Sequence, residues 1–376
     1  MNEKGSVIPN IGRLNAVMDR EGFDALVLRS GVTFTYLSGV VYPGTLARHL
    51  DLADSPRGVV LVWPRSGQPT LVLNSFAAPL ARRDSSIGQI VQYDDYGESV
   101  YAKTAEVLAG MGLKKGRIGF EKNSLSALRW EEVLGLLSQA NIRDCSALMD
   151  EVRRVKTDRE VAILEEAADL LDEAYLEVFS GVKAGDTERE VHGRLLESCI
   201  RKGAGWAHGI LNSSRNSVIY GGEGDTVFQE GDIIRNDYVA YHRGYPGHQS
   251  RTVVVGEPSA EQKATYRLVR DAYRATIEQC RPGVQAQEIH RFASESFRKA
   301  GFPDPLALAG HSVGPWWHQQ PPFLVPGSSV ELEAGMVLAL EPHVRFWHLQ
   351  DMVLVTDEGP RLLSARFSTD EMLVVG

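Results

Sequence analysis

The sequence has no uninterrupted apolar run long enough to cross a membrane. A spanning helix needs about 20 predominantly apolar residues, and no stretch of about 18 uncharged apolar residues occurs anywhere in the 376 residues. The opening residues, MNEKGSVIPNIG, also lack the apolar segment of a secretory signal. We therefore expect a soluble cytoplasmic protein that has no membrane partner.

Cysteine is equally scarce. The three cysteines, Cys145, Cys199 and Cys280, show neither paired nor metal-type spacing, which argues against a disulfide framework and against a zinc knuckle. The formal net charge is −9, and basic residues are interspersed with acidic ones, so no basic patch for nucleic acid is predicted. The composition is that of an ordinary globular protein.

The chain length fits two domains better than one or three. Residues 1–152 alternate strand-like runs (DALVLRS, TFTYLSG, GVVLVWP) with helical patterns (IGRLNAVMDREG, ALRWEEVLGLLSQA), which is typical of an α/β domain. From residue 153 the pattern changes to a helix pair, strands, a second helix pair and more strands. The first of these helices is expected to begin at Thr157 or Asp158, either of which is a suitable N-cap.

Polar residues occur in the predicted strands of the second domain. In the segment DYVAYHRGYPGHQSRT, Asp237 and His248 lie on the two arms of a predicted hairpin. A tight turn centred between His242 and Arg243 would place these two side chains directly opposite each other, with Cβ atoms about 5 Å apart. A longer loop at Gly244 would shift that register.

A second predicted hairpin resembles the first. Glu341 in GMVLALEPH and Gln350 before DMVLVTDEG are equally far from the middle of the connecting loop. Between the two hairpins, the segment GHSVGPWWHQQPP contains His311 and His318. These residues either share one polar site or are unrelated turn and packing residues, and their concentration in one domain favours a shared site.

These segments, together with GVTFTYLSG and RRVKTDREVAILEEAA near the start, resemble the creatinase, prolidase and aminopeptidase P family. The resemblance covers nearly the whole chain and keeps the order of the motifs. It implies a creatinase-type N-terminal α/β domain over residues 1–152 and an α+β catalytic domain of the pita-bread fold over residues 153–376. It also implies a homodimer.

Metallopeptidases of this family bind two divalent ions through two aspartates, one histidine and two glutamates. By resemblance, Asp237, His311 and Glu341 keep three of these positions, but His248 replaces the second aspartate and Gln350 replaces the last glutamate. Two dications about 4 Å apart need bridging carboxylates, and neither imidazole nor amide supplies two anionic oxygens. We therefore predict that the protein lacks a dinuclear centre.

Two kinds of site remain open. One holds a single Zn, Fe or Mn ion between Asp237, His248, His311 and Glu341. The other holds no metal, as in creatinase, and works by acid–base chemistry of histidines and carboxylates. In both cases the predicted catalytic residues are His311, Glu341, His318, Asp237 and His248.

The residues expected to contact substrate are Gln350, Tyr220 and Trp316. By resemblance, the catalytic histidine of creatinase falls on Gly221, beside Tyr220, and its guanidinium-binding glutamates fall on Ser250 and Gln350. Creatine would find too little negative charge here, so a neutral or anionic substrate is expected. Three other histidines, His208, His343 and His348, are predicted to be solvated or packing residues.

The predicted function is that of a creatinase/prolidase-like hydrolase, or a lyase, that cleaves a C–N or amide-type bond of a small amino-acid-like molecule without a dinuclear metal centre. One alternative is an Xaa-Pro dipeptidase-like metallohydrolase with one metal ion. Another is a catalytically inactive pita-bread module that binds partners.

Overall fold

The chain divides into two compact units, with the boundary between Arg153 and Arg154. The computed structural model describes residues 9–218, 220, 222–304 and 306–376, without the side chains of Thr45 and Asp51. Among the helices in these ranges, none combines the length and apolar character needed to span a bilayer.

The first unit contains a mixed six-stranded sheet in the order β4-β3-β2-β1-β5-β6. Strand β1 pairs antiparallel with β2 and parallel with β5. The strands are β1 Ala25–Leu28, β2 Val60–Pro64, β3 Thr70–Leu73, β4 Gln89–Gln92, β5 Arg117–Phe120 and β6 Asn141–Asp144. The helices are α1 Ile11–Glu21, α2 Gly31–Ser38, α3 Gly44–Asp51, α4 Ala78–Asp84, α5 Val100–Gly110, α6 Ala127–Leu136 and α7 Ser146–Arg154.

The run TFTYLSG forms helix α2, so its prediction as a strand was wrong. The Ser30 side chain accepts a hydrogen bond from the Thr33 amide, and Gly39 ends the helix in the left-handed conformation. Local caps of this kind outweigh the strand preference of β-branched and aromatic residues. The helix is buried on nearly every side, which removes the 3.6-residue alternation that would have identified it.

The second unit contains two helix pairs, as the sequence pattern predicts. Helix α8 begins with a capping box in which the Thr157 side chain accepts from the Glu160 amide and the Glu160 carboxylate accepts from the Thr157 amide. Thr157, rather than Asp158, is therefore the N-cap. The helices are α8 Asp158–Phe179, α9 Glu188–Arg201, α10 Ala260–Ile277 and α11 Ala286–Lys299.

Each helix pair packs against its own sheet. Helices α8 and α9 bury apolar side chains against one sheet, in which the strands follow the order β18-β10-β8-β7 and β9 pairs with β8. Helices α10 and α11 pack on another, in the order β12-β11-β13-β16-β17. The strands are β7 Trp206–Ser213, β8 Ile233–His242, β9 Tyr245–Gln249, β10 Thr252–Val255, β11 Gly310–Ser312, β12 Gln320–Phe323, β13 Val337–Leu340, β14 His343–Val344, β15 Trp347–His348, β16 Asp351–Thr356, β17 Gly359–Leu362 and β18 Leu373–Val375.

The turn between β8 and β9 determines which residues face each other across the hairpin. Arg243 and Gly244 both have positive φ, 53° and 84°, as a two-residue type I′ turn requires. This turn pairs Val239 with His248, so the prediction that Asp237 lies directly opposite His248 was wrong by two residues. Because side chains alternate with period 2, Asp237 still lies on the same face as His248, one diagonal step away.

A pair of backbone hydrogen bonds joins the two sheets. The Ser250 amide donates to the Gln350 carbonyl over 3.2 Å, and the Gln350 amide donates to the Ser250 carbonyl over 3.1 Å. Beside this bridge the buried Arg251 side chain donates to the carbonyls of Phe367, Ser250 and Gln350. Strands β8 to β10 and β13 to β16 therefore present one continuous face.

Gly247 allows β9 to lie directly on helix α8. A Cβ atom there would lie 2.2 Å from the carbonyl oxygen of Ala167 and 2.6 Å from its carbonyl carbon. Because backbone cannot move aside as a flexible side chain can, we expect Gly247→Ala to lower the free energy of unfolding by about 1–3 kcal/mol or more. Urea denaturation measures this loss.

The matched control is Gly193→Ala, on the exposed face of α9, where an added Cβ meets nothing within 4 Å. Alanine stabilises a helix interior by up to about 1 kcal/mol relative to glycine, so this variant should gain stability. Equal stability of the two variants would contradict the packing described for Gly247.

Candidate active site and its metal-binding group

The polar residues of the second unit converge on one face of the joined sheets. On this face Val239 pairs with His248, Ala339 pairs with both Met352 and His311, and Arg235 pairs with Thr252. When each of these pairs is followed two residues further along its strands, the same register places Asp237 beside Ser250 and Glu341 beside Gln350. The symmetric placement predicted for Glu341 and Gln350 is consistent with the pairs Leu340–Asp351 and His343–His348 on either side.

His311 and Glu341 form the closest ionisable pair on this face. His311 is completely buried, and its Nδ1 lies 3.0 Å from the carbonyl oxygen of Ser312. A carbonyl can only accept, so Nδ1 carries the proton and Nε2 presents a lone pair. That Nε2 lies 3.3 Å from Glu341 Oε1 but makes no hydrogen bond of acceptable geometry. Two acceptors in contact in a buried site require a cation or a proton between them.

Glu341 lies between two imidazoles. His348 Nε2 is 3.6 Å from Glu341 Oε2, on the side away from His311. Burial by itself raises the pKa of Glu341, whereas a proton on the nitrogen of His311 or His348 that faces it lowers the pKa, and the balance lies well below the usual range. With such a proton or a metal ion in place, Glu341 is a carboxylate, although it is 5% exposed.

His248 and Asp237 complete the central group. His248 Nδ1 lies 3.2 Å from the Tyr238 carbonyl oxygen and 3.8 Å from Asp237 Oδ1, so its Nε2 is the atom left for a ligand. Burial lowers the pKa of His248, and Asp237 partly opposes this effect. The rings of His248 and His311 stack with centroids 5.4 Å apart.

Gln350 has one satisfied and one unsatisfied polar atom. Its Oε1 accepts a hydrogen bond from Ser250 Oγ over 2.8 Å, while Nε2 has no hydrogen-bond partner although the residue is completely buried. The amide oxygen is thus already engaged, and the free group is a donor, which cannot bind a cation.

A second group of aromatic rings lies next to His248. The His318 ring is 4.7 Å from that of His248, and its Nδ1 is 3.2 Å from Tyr241 Oη. Burial, together with the neighbouring histidines, lowers the pKa of His318 to about 2, so this imidazole is neutral at physiological pH. The His208 ring follows, 5.4 Å from that of His318.

Tyr220 links Asp237 to a buried arginine. Its hydroxyl lies 3.4 Å from Asp237 Oδ2 and accepts a hydrogen bond from Arg235 Nη2 over 2.6 Å. Burial of the hydroxyl and, to a smaller extent, the negative charge of Asp237 raise the pKa of Tyr220 to about 12. The hydroxyl therefore keeps its proton and donates to Asp237. The guanidinium carbon of Arg235 stacks 4.3 Å from the centroid of the Tyr220 ring.

Of the two tryptophans that precede His318, Trp317 has its ring beside that histidine. The Trp317 ring lies 5.4 Å from that of His318. Trp316 is buried with a positive φ of 66°, and its amide donates to the Gly244 carbonyl at the β8–β9 turn. A substrate contact of Trp316 therefore stays a prediction.

The described residues contain two overlapping groups that could hold a metal ion. His248, His311 and Glu341 offer ligand atoms within 4.8 Å of one another, and two imidazoles with one carboxylate are a common set for zinc or ferrous iron. A second group, Asp237, Glu341 and His348, has the same spacing but shares Glu341 with the first. Two ions would then have only two carboxylates between them, close to the fixed positive charge of Arg235.

Sequence reasoning missed three residues of this face. His348 and His208 were predicted to be solvated or packing residues, but the first lies against Glu341 and the second against His318. Arg235 was not considered at all. A usable signal was the period-2 alternation of extended chain, because Arg235 lies two residues before Asp237 on β8 and His348 lies two residues before Gln350.

Two family models match the chain. "Metallopeptidase family M24" matches residues 162–357, and "Creatinase/Prolidase N-terminal domain" matches residues 11–155. The uncharacterized peptidase YqhT of Bacillus subtilis is 28% identical over 290 residues, which are 75% of this chain and 81% of that protein. An Xaa-Pro dipeptidase of Pyrococcus horikoshii is 24% identical over 376 residues, which are 97% of each chain.

Solved structures show the same fold. The Xaa-Pro dipeptidase from Bacillus anthracis superposes with a TM-score of 0.83 at 23% identity, over 97% of this chain and 99% of that one. Dipeptidase PepE from Mycobacterium ulcerans gives a TM-score of 0.81 at 24% identity, over 99% of each chain. The predicted fold, an α/β N-terminal domain followed by a pita-bread domain, is confirmed.

The buried imidazoles predict a loss of stability in acid. Burial lowers the pKa of His208 and of His348 to about 4, whereas both titrate near 6.5 in the unfolded chain. Unfolding therefore takes up protons below pH 6.5, and the free energy of unfolding should fall as the pH drops from 6.5 towards 4. Urea denaturation of EDTA-treated protein across this range measures the effect.

His208→Asn is the informative variant, because it removes one such group outside the central metal-binding group. Its unfolding should take up about one proton fewer than that of the wild type between pH 6.5 and 4. Identical pH dependence of the two proteins would show that His208 is not held neutral by burial.

Proposed function

The chain belongs to metallopeptidase family M24 and carries the family's creatinase/prolidase N-terminal domain, and on that basis we propose that it is a hydrolase of a small amino-acid-like molecule that works without a pair of metal ions. The bond cleaved is of the amide or C–N type. Xaa-Pro dipeptidases among the relatives support this class of reaction.

The observation that carries the proposal is the shortage of carboxylates on the site face. His248 and Gln350 occupy two positions that hold carboxylates in the metallopeptidases of the family, and both are already hydrogen-bonded within the protein. Asp237 is bound by Tyr220, which in turn is bound by the Arg235 cation. Only Asp237 and Glu341 would remain to offset the mutual repulsion of two dications.

A single divalent ion fits His248, His311 and Glu341, because one nitrogen of each imidazole and one carboxylate oxygen lie within 4.8 Å of one another. Such an ion would supply a Lewis acid for the scissile carbonyl. The protein groups around it have separate tasks. The neutral His318 hydrogen-bonds the substrate, and the Asp237 carboxylate, oriented by Tyr220, accepts a proton from the attacking water.

The metal-free alternative rests on the same contact between His311 and Glu341. If a proton rather than a metal ion lies between Nε2 and Oε1, His311 is an imidazolium held by Glu341 and can protonate the leaving nitrogen. The two versions share their catalytic residues and differ in metal content. The homodimer expected from the family resemblance stays a prediction in both.

Metal content distinguishes these versions from a dinuclear peptidase. Protein purified without chelators should contain at most one divalent ion per chain, measured by inductively coupled plasma mass spectrometry, and should not hydrolyse glycylproline. The double variant His248→Asp, Gln350→Glu restores both carboxylates and should raise the metal content to two ions per chain.

The control for added negative charge is Gln89→Glu, an exposed position on β4 of the N-terminal unit, which should leave the metal content unchanged. Two ions per chain in the wild-type protein, with turnover of glycylproline, would overturn the proposal and favour a conventional Xaa-Pro dipeptidase.

Catalysis by the central pair is tested with His311→Gln and Glu341→Gln. A mass-spectrometric screen of dipeptides, N-acyl amino acids and ureido acids identifies a substrate of the wild type. Each variant should then lower kcat by about 10²–10⁴-fold, because proton transfer and electrostatic stabilisation at the reacting bond are lost. Glu358→Gln, on the exposed β16–β17 turn, should keep full activity. A wild type that turns over no member of the screen would favour the binding-module alternative.

A further inference from the structure

Arg235 is a buried arginine whose donors are mostly unpaired. The residue is 1% exposed, and its Nη2 donates to Tyr220 Oη, but Nε and Nη1 have no hydrogen-bond partner. Across the described ranges, no carboxylate forms an ion pair with it. A buried charge without a partner is strongly unfavourable. A buried guanidinium is therefore expected to have a partner.

Arg251 shows how this protein compensates a buried guanidinium. Its Nε and Nη1 donate to the carbonyls of Phe367, Ser250 and Gln350. Its Nη2 pairs with Asp351 at 2.8 Å and with Asp172 at 3.5 Å. Both arginines are buried within the same sheet, yet only Arg251 has every donor group engaged. The difference indicates that the partner of Arg235 is a molecule other than the protein.

Two neighbours on the same face also have unsatisfied polar atoms. Gln350 Nε2, which can only donate, has no partner, and neither ring nitrogen of His348 makes a hydrogen bond. Both residues are 0% exposed. Their position follows from the register, because Thr252 pairs with Arg235 and exchanges hydrogen bonds with the His348 backbone. Three buried side chains with free donors thus occupy adjacent positions of one sheet face.

We propose that Arg235, His348 and Gln350 form a subsite that binds a carboxylate group of the substrate. This inference rests on the proposed function, because the ligand of the subsite is taken to be the substrate of the proposed active site. A carboxylate has several acceptor lone pairs and a full negative charge, which match a guanidinium and neutral donors. Tyr220 covers one face of the guanidinium by stacking, which leaves the edge N–H groups for the ligand.

The subsite also gives the substrate a direction. Tyr220 Oη joins Arg235 to Asp237, and Asp237, Glu341 and His348 offer atoms within 4.8 Å of one another. A carboxylate at Arg235 would therefore lie beside the reacting groups, while Asp237 and Glu341 would repel it from the centre of the site. The scissile bond is then directed towards His311 and Glu341.

The test compares N-acetylglycine with N-acetylglycinamide, which differ only in carboxylate against neutral amide. Binding is measured by thermal shift on EDTA-treated protein at constant ionic strength, so that neither a metal ion nor turnover contributes. N-acetylglycine should raise the melting temperature saturably, and the amide should not. Arg235→Met should weaken the binding of the acid about tenfold or more, and Arg235→Lys, which keeps the charge, should weaken it less.

The control is Arg215→Met, a partly exposed arginine that pairs with Asp232, and it should bind the acid as the wild type does. Equal effects of acid and amide, no effect of the acid, or unchanged affinity in both Arg235 variants would overturn the subsite. A response to inorganic phosphate alone would do so as well. These outcomes would leave the metal content and the turnover of the His311 and Glu341 variants untouched, so failure of the subsite is distinct from failure of the proposed function.

Discussion

The backbone bridge between Ser250 and Gln350 is the constraint on which the site depends. Each half of the catalytic unit has its own helix pair and its own sheet, and the group His248, His311 and Glu341 draws its residues from both sheets. The two hydrogen bonds of the bridge set the register between β9–β10 and β16. Because side chains alternate strictly along a strand, that register decides which polar residues share a face. Arg251 reinforces the junction through three backbone carbonyls.

Charge balance on this face is the basis of the proposal that the site works without a pair of metal ions. The face carries two carboxylates, Asp237 and Glu341, and one fixed cation, Arg235, surrounded by imidazoles that burial keeps neutral. The two proposals, a site without a metal pair and a subsite for a carboxylate, both rest on that balance. Family membership defines the fold and the class of reaction, whereas the substrate depends on the individual residues of the site.

Much of the architecture could be predicted from local patterns. The long apolar stripe of α8 and its Thr157 cap are local features, and the structure keeps them. The strand prediction for TFTYLSG failed, because a helix buried on nearly all sides has no periodic pattern and its caps lie outside the run. The pairing of Asp237 with His248 failed for a similar reason, since a type I′ turn at Arg243 and Gly244 moved the register by two residues.

By itself the sequence determined the family and the two-domain order, and it led to the prediction that His248 and Gln350 stand where relatives have carboxylates, because these depend on residue identity and motif order alone. Tertiary structure decided that His348 lies against Glu341, that His208 lies beside His318, and that the buried Arg235 has two donor nitrogens with no hydrogen-bond partner among the described residues. The physical reason is that burial and pairing are properties of neighbours distant in the chain. The alternation of side chains along a strand predicts which face a residue lies on, but only the assembled sheets show which residues it contacts there.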